Sequence, residues 1–186
     1  MKVDFQTCQE IRQQIWKELG RASQDRHHAW RTPVLATTGQ DGTVNARTVV
    51  LRSVDQAGQT LQFFTDQRSP KVAEIANEPK AMFVFWSTRL YWQLRVRVFV
   101  TSQPDSAQVE AHWQGVRQTA AASDYLGALA PGSPRTETFS PSALPEQTNN
   151  FTLLIAQVLE IDWLEIGRSG HRRARLLQNT WQWLTP

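Results

Sequence analysis

Residues 45–54, NARTVVLRSV, are followed by FFTDQRSPK at 63–71 and LYWQLRVRV at 90–98. Each run is rich in branched and aromatic residues and is bounded by turn residues, which reads as strands following one another in hairpins. Along the first run the period of two places Asn45, Arg47, Val49 and Leu51 on one face. Arg52 falls on the other face unless a bulge intervenes.

Working outward, VLATT before this run is joined to it by a Gly- and Asp-containing turn, a hairpin signal. Ser69-Pro70 opens a helix, with a short polar residue at the cap and proline where its missing N–H costs nothing. That helix is expected to reach about Asn77, and Pro79 closes it. KAMFVFW and LYWQLRVRVFVT make a second hairpin, with Trp92, Leu94, Val96 and Val98 on one face. FTLLIAQVLEIDWLEI is a long apolar strand, bent along its length, and RSGHRRARL with WQWLTP supplies the last pair.

Ile11, Ile15, Trp16 and Leu19 recur at helical spacing, so an amphipathic helix is expected over 5–22, capped by Asp4 or Thr7 and packed on the strands. A further helix is expected from Gln108 to about Tyr125, then a Pro-, Ser- and Thr-rich surface loop from Ala128 to Asn150. Hairpins interrupted by only three helices point to a mainly β antiparallel barrel in one domain, 1–186. There is no G-x-G-x-x-G and no P-loop, so a nucleotide would have to be held by side chains and a helix start.

Composition narrows the function. Of 20 Lys and Arg only Lys2, Lys17, Lys71 and Lys80 are lysines, a bias that suits planar recognition of anions. A net charge of +3 without a basic block argues against nucleic acid. Cys8 is the sole cysteine, which excludes an internal disulfide and a Cys-built metal site and suits a reducing cytoplasm. No apolar run has the length of a signal peptide core or a membrane span, and His27, His28 and His112 lack a second ligand cluster.

A strand arginine among apolar neighbours needs an anion, and Ser69-Pro70-Lys71 offers one a helix start. If Arg47, Lys71 and two hydroxyls such as Thr65 and Ser69 each contribute roughly 1.5 to 3 kcal/mol as charged hydrogen bonds, their gross sum approaches the roughly 8 kcal/mol of a micromolar ligand. Ordering and desolvation take part of that back. Singly each residue has a plainer reading. Arg47 could pair with a nearby carboxylate, Gln93 could be a polar face residue, Trp86, Trp92 and Trp163 could be barrel core or dimer contact, and Arg172, Arg173 and Arg175 a solvated basic turn. The ordered series favours the anion site.

That series, R-x-V-x-L-[KR], then [FY]-T-x-x-x-S-x-K, then Q-x-R-V and a final W…H-R-R region, resembles the pyridoxamine 5'-phosphate oxidase-like flavoproteins over roughly residues 30–186. The resemblance implies an FMN-binding split β-barrel with Greek-key strands, and a homodimer with FMN at the subunit interface. It implies that Arg47, Thr65, Ser69 and Lys71 hold the flavin phosphate, that Thr48, Val49, Val50, Arg52 and Phe64 line the cofactor, and that Gln93 reaches the ring or ribityl side. From the other subunit Trp163 and Arg173 would approach the ring, with Arg175 as the competing alignment. For substrate it implies Arg52, Trp113, Arg117 and His171.

The chain departs from the pattern at several of these positions. Pro70 replaces an arginine, Trp113 a phosphate-binding tyrosine, Ala121 a serine, and Ser169 the arginine two residues before His171. Cofactor binding is expected to survive, whereas pyridoxamine phosphate is not the expected substrate. An oxidoreductase acting on a small amine-type or other reduced substrate is one reading, with oxygen restoring the oxidised flavin. A non-catalytic FMN carrier or sensor is the other.

Overall fold

The computed structural model of the chain describes residues 7–103, 106–134, 149–178 and 180–186. Among them nine strands form one antiparallel sheet: β1 Val34–Thr38, β2 Val44–Thr48, β3 Leu51–Asp55, β4 Thr60–Asp66, β5 Lys80–Ser87, β6 Trp92–Gln103, β7 Phe151–Glu165, β8 Arg172–Leu176 and β9 Trp181–Leu184. Their order is β2-β1-β5-β6-β7-β4-β3, with β8 beside β7 and β9 beside β8.

The sheet splits along β7. Its first half, Phe151 to Gln157, pairs with β4, and its last five residues, Ile161 to Glu165, pair with β8, while β6 runs along both halves. The turn from one partner to the other falls at a bulge opposite Arg97 and Val98, where Leu159 has no partner on β6. A bulge adds local twist, which lets one long apolar strand serve two sheet walls. At the far edge the chain leaves β2 at Thr48 and hooks back, the Val49 and Leu51 amides donating to the Pro33 and Arg31 carbonyls.

The alternation expected for β6 is present: Trp92, Leu94, Val96 and Val98 are buried and face Phe83, Phe85, Leu154, Ile161 and Trp163 in the main core. Helix α1, Cys8–Gln24, begins at Thr7 through a capping box with Glu10, so of the two proposed caps Thr7 serves. Asp4 and Phe5 lie outside the described residues. Ile11, Ile15, Trp16 and Leu19 bury the apolar stripe of α1 in the same core as Leu51 and Leu176.

Helix α2, Pro70–Asn77, starts where Ser69-Pro70 predicts. The single helix expected over 108–125 is instead α3, Ala107–Val116, a 3-10 turn at Ala120–Ala122 and α4, Ser123–Leu126. The break is local: Thr119 is extended, and both its amide and its hydroxyl donate back to the Val116 carbonyl. Trp113, Tyr125, Phe151 and Leu153 form a second, smaller core beneath these helices. Of the loop expected over 128–150, residues 135–148 lie outside the described residues. No described helix is long and apolar enough to cross a membrane.

Candidate functional site

The end of β4 and the start of α2 bring three predicted residues together. Lys71 Nζ donates to Thr65 Oγ1 at 3.0 Å and to the Ser69 hydroxyl, and both hydroxyl residues are buried. The Ser69 side chain makes no cap bond to its own helix, which leaves it for this contact. Lys71 forms no ion pair among the described residues. Burial pushes its ammonium down from the usual lysine range and the nearby Arg47 charge adds to that, against smaller opposing effects of Asp66 and Glu74. A half-buried cation held only by hydroxyls is short of an anion.

Arg47 lies at the same locus but is already paired. Its Nη2 donates to Glu74 Oε2 at 2.9 Å and its Nη1 to Thr37 Oγ1, so the plainer reading of Arg47, a strand arginine on a carboxylate, describes its contacts. Glu74 was not singled out in the sequence, although it stands three residues after Lys71 and so shares its helix face. Thr37 and Asn45, which also bond Glu74, are cross-strand partners in the β1–β2 hairpin. Thr48 is exposed at the end of β2, and Val49 and Val50 are half-buried between the two ladders.

Arg52 sits at a bulge between Leu51 and Ser53, so strict alternation does not assign its face. Its guanidinium lies 5.3 Å from the centre of the Phe64 ring, and its Nε is buried without a partner. Tyr125 is beside it: burial pushes the phenol up and Arg52 opposes that. Phe64 also meets His112 at 5.1 Å and Phe151 at 4.9 Å. Arg68, one residue before the cap, grips both oxygens of Asp66 and donates to the Gly127 and Ala128 carbonyls, which ties the segment after α4 to the rim of this site.

Two of the aromatic residues pack into the cores. Trp163 is 0% exposed, packed at right angles on Trp92 at 5.3 Å and capped by Arg172, so within the single chain its ring belongs to the core. Trp113 is buried against Tyr125 and Phe151 in the second core and borders a surface pocket that Val109, Glu110 and Phe151 also line. Arg117 ends α3 in solvent with Gln114 as its side-chain partner, and His171 is exposed in the β7–β8 turn.

Gln93 and Arg173 occupy a different surface. Trp86, Gln93, Leu164 and Arg173 are register neighbours across β5, β6, β7 and β8, all on the face turned away from the core. Gln93, Arg173, His171 and Trp163 make no hydrogen bond, ion pair or ring contact with Arg47, Thr65, Ser69 or Lys71 among the described residues. Both arginines of the alternative alignments meet carboxylates: Arg173 donates to Asp162 at 2.8 and 3.0 Å, and Arg175 is 3.5 Å from Glu160.

Asp162 takes bonds from Arg173 and Arg95 together. Burial pushes its carboxyl up, but these two arginines more than offset it and hold the group below the usual carboxylate range. A depressed carboxyl contributes stability that is complete above the unfolded value of about 4 and is lost as pH falls through the lower folded value. Urea midpoints of the natural protein and Asp162→Asn should therefore differ near neutral pH and converge below about pH 4. A difference that does not change with pH would show that the arginines add nothing electrostatic.

Residues 13–102, just under half of the chain, match the family described as pyridoxamine 5'-phosphate oxidase, FMN-binding domain. The pyridoxine/pyridoxamine 5'-phosphate oxidase of Thermosynechococcus vestitus is 44% identical over 80 residues, 43% of this chain and 36% of that protein. That of Thermobifida fusca is 41% identical over 73 residues, 33% of this chain and 32% of its own length. These matches span about a third of the curated relatives. Among solved structures, a pyridoxamine 5'-phosphate oxidase-related, FMN binding protein from Nostoc punctiforme is 25% identical, covers 94% of this chain and 97% of its own, and superposes with a TM-score of 0.72. PhzG from Burkholderia lata, crystallised with tetrahydrophenazine-1-carboxylic acid, has the same TM-score of 0.72 over 100% of both chains at 17% identity, a likeness of fold alone.

Proposed function

We propose, from the chain's similarity to the pyridoxamine 5'-phosphate oxidase-like FMN-binding split-barrel proteins, that it belongs with them, binds FMN and acts as an oxidoreductase on a small reduced substrate. The observation that carries this reading is Lys71, a half-buried ammonium set on the Thr65 and Ser69 hydroxyls with no carboxylate partner among the described residues. Those three groups fit a phosphate: one charge and two hydroxyls, beside Arg47 and at a helix start whose dipole favours an anion.

When bound, FMN supplies two-electron redox chemistry. The chain's own part is to hold and shield it. Lys71 and Arg47 would hold the phosphate, the segment at Val49 and Val50, whose Val49 amide is tied to the Pro33 carbonyl, would lie along the ring, and Arg52 over Phe64 would present a cation in an aromatic setting to a substrate. Gln93 and Arg173, on the outer face, reach a flavin only if a second copy presents them, so a homodimer with the cofactor at its interface belongs to this reading. Exposed Trp86, Trp181 and Trp183 supply aromatic surface for such a contact.

Substrate recognition of pyridoxamine phosphate type is not expected, because Trp113 stands where the resembled pattern has a phosphate-binding tyrosine and Ser169 where it has an arginine two residues before His171. The same two facts favour the carrier reading as the second choice. Fluorescence titration separates the cofactor question from turnover: FMN should bind at least about 100-fold more tightly than riboflavin, and equal affinities would rule out a phosphate grip. Reduction of bound FMN by a panel of amines, followed at the flavin absorbance, then distinguishes enzyme from carrier.

A further inference from the structure

Beside Lys71 the fold places a carboxylate in the region where a phosphate would come. Glu74 is 7% exposed, and both its oxygens are taken: Oε2 accepts from Thr37 Oγ1 at 2.5 Å and Arg47 Nη2 at 2.9 Å, and Oε1 from Asn45 Nδ2 at 2.8 Å. Since the other terminal nitrogen of Arg47 donates to Thr37, the three side chains Arg47, Thr37 and Glu74 close a ring of hydrogen bonds. Side chains from β1, β2 and α2 thus converge on one carboxyl group. Burial pushes that carboxyl up, but Thr37, Arg47 and Asn45 outweigh burial, and Glu74 lies below the usual carboxylate range. It is therefore ionised at neutral pH.

A fixed negative charge next to a phosphate is repulsive, so phosphate binding alone does not account for it. Without it, however, the pocket would hold two partly buried cations near one another, and Arg47 already pushes Lys71 down. We propose that Glu74 is a resident counter-ion of the cofactor pocket, which keeps Arg47 in place when no phosphate is present and, by competing for Arg47, loosens the grip on FMN so that the cofactor exchanges. With Glu74 ionised, Arg47, Lys71 and Glu74 together carry one net positive charge against a phosphate that carries close to two negative ones. Neutralising Glu74 doubles that positive charge.

The proposal rests on the phosphate reading of Lys71, and its test keeps the two apart. Apoprotein of the natural sequence and of Glu74→Gln is titrated with FMN and with riboflavin, and the melting temperature of each apoprotein is recorded. Glu74→Gln should bind FMN about tenfold more tightly, bind riboflavin unchanged, and melt at a lower temperature when empty. Equal or weaker FMN binding by Glu74→Gln, with the natural protein binding normally, overturns the counter-ion role and leaves the phosphate site standing. A natural protein that fails to distinguish FMN from riboflavin removes both. If the empty variant does not stay folded, FMN release after dilution of the two holoproteins gives the same comparison: slower release from Glu74→Gln supports the proposal, and equal or faster release overturns it.

Discussion

Replacing Lys71 by methionine should raise the dissociation constant for FMN by roughly 30- to 100-fold and leave that for riboflavin nearly unchanged. A charge-assisted hydrogen bond to phosphate contributes about 2–3 kcal/mol, and each 1.4 kcal/mol is about tenfold in affinity. The empty fold should not suffer, because burial and Arg47 both work against the Lys71 charge, and the Thr65 and Ser69 hydroxyls can rotate toward each other or water. Methionine keeps an unbranched apolar stem of similar length and removes the ammonium, its charge and its bonds to Thr65 and Ser69 together. Isothermal titration of both ligands reads the effect. Parallel losses for FMN and riboflavin would mean that Lys71 supports the pocket wall instead of the phosphate. Arg47 is the poorer choice for this test, since its removal also strands Glu74 as a buried carboxylate without its cation.

The other large effect belongs to Trp163. In register it stands between Leu94 on β6 and Ala174 on β8, and it touches Trp92 at 5.3 Å and Trp183 at 6.4 Å. Truncation to alanine should cost about 3–5 kcal/mol, a large share of the roughly 5–15 kcal/mol that holds a domain folded. Urea unfolding measures it directly. Trp163→Phe discriminates further, since it retains an aromatic filler: FMN affinity and the flavin absorbance band should stay as in the natural protein. A shifted band or lost affinity in Trp163→Phe, with stability intact, would return this residue to the cofactor and contradict its place in the core.

Local chemistry made part of this legible from sequence. The buried row Trp92, Leu94, Val96 and Val98 follows from strict alternation, α2 from Ser69-Pro70, and the meeting of Lys71 with Thr65 and Ser69 from a strand end running into a helix start. What escaped depends on contacts between distant elements or on irregular backbone. Glu74 takes Arg47 only because α2 docks on the β1–β2 hairpin, a tertiary event without a local mark. The bulge at Arg52 breaks the period that would have assigned its face, and the branching of β7 from β4 to β8 is what encloses Trp163. The split of the expected third helix has a visible agent in Thr119, whose hydroxyl and amide compete for the Val116 carbonyl.

A crystal structure of the protein with FMN tests the central claim most directly. The phosphate should sit at the start of α2 with an oxygen within about 2.7–3.2 Å of Lys71 Nζ and with Thr65 and Ser69 turned toward it. A cofactor bound with its phosphate elsewhere, and Lys71 still resting on the two hydroxyls alone, would contradict it.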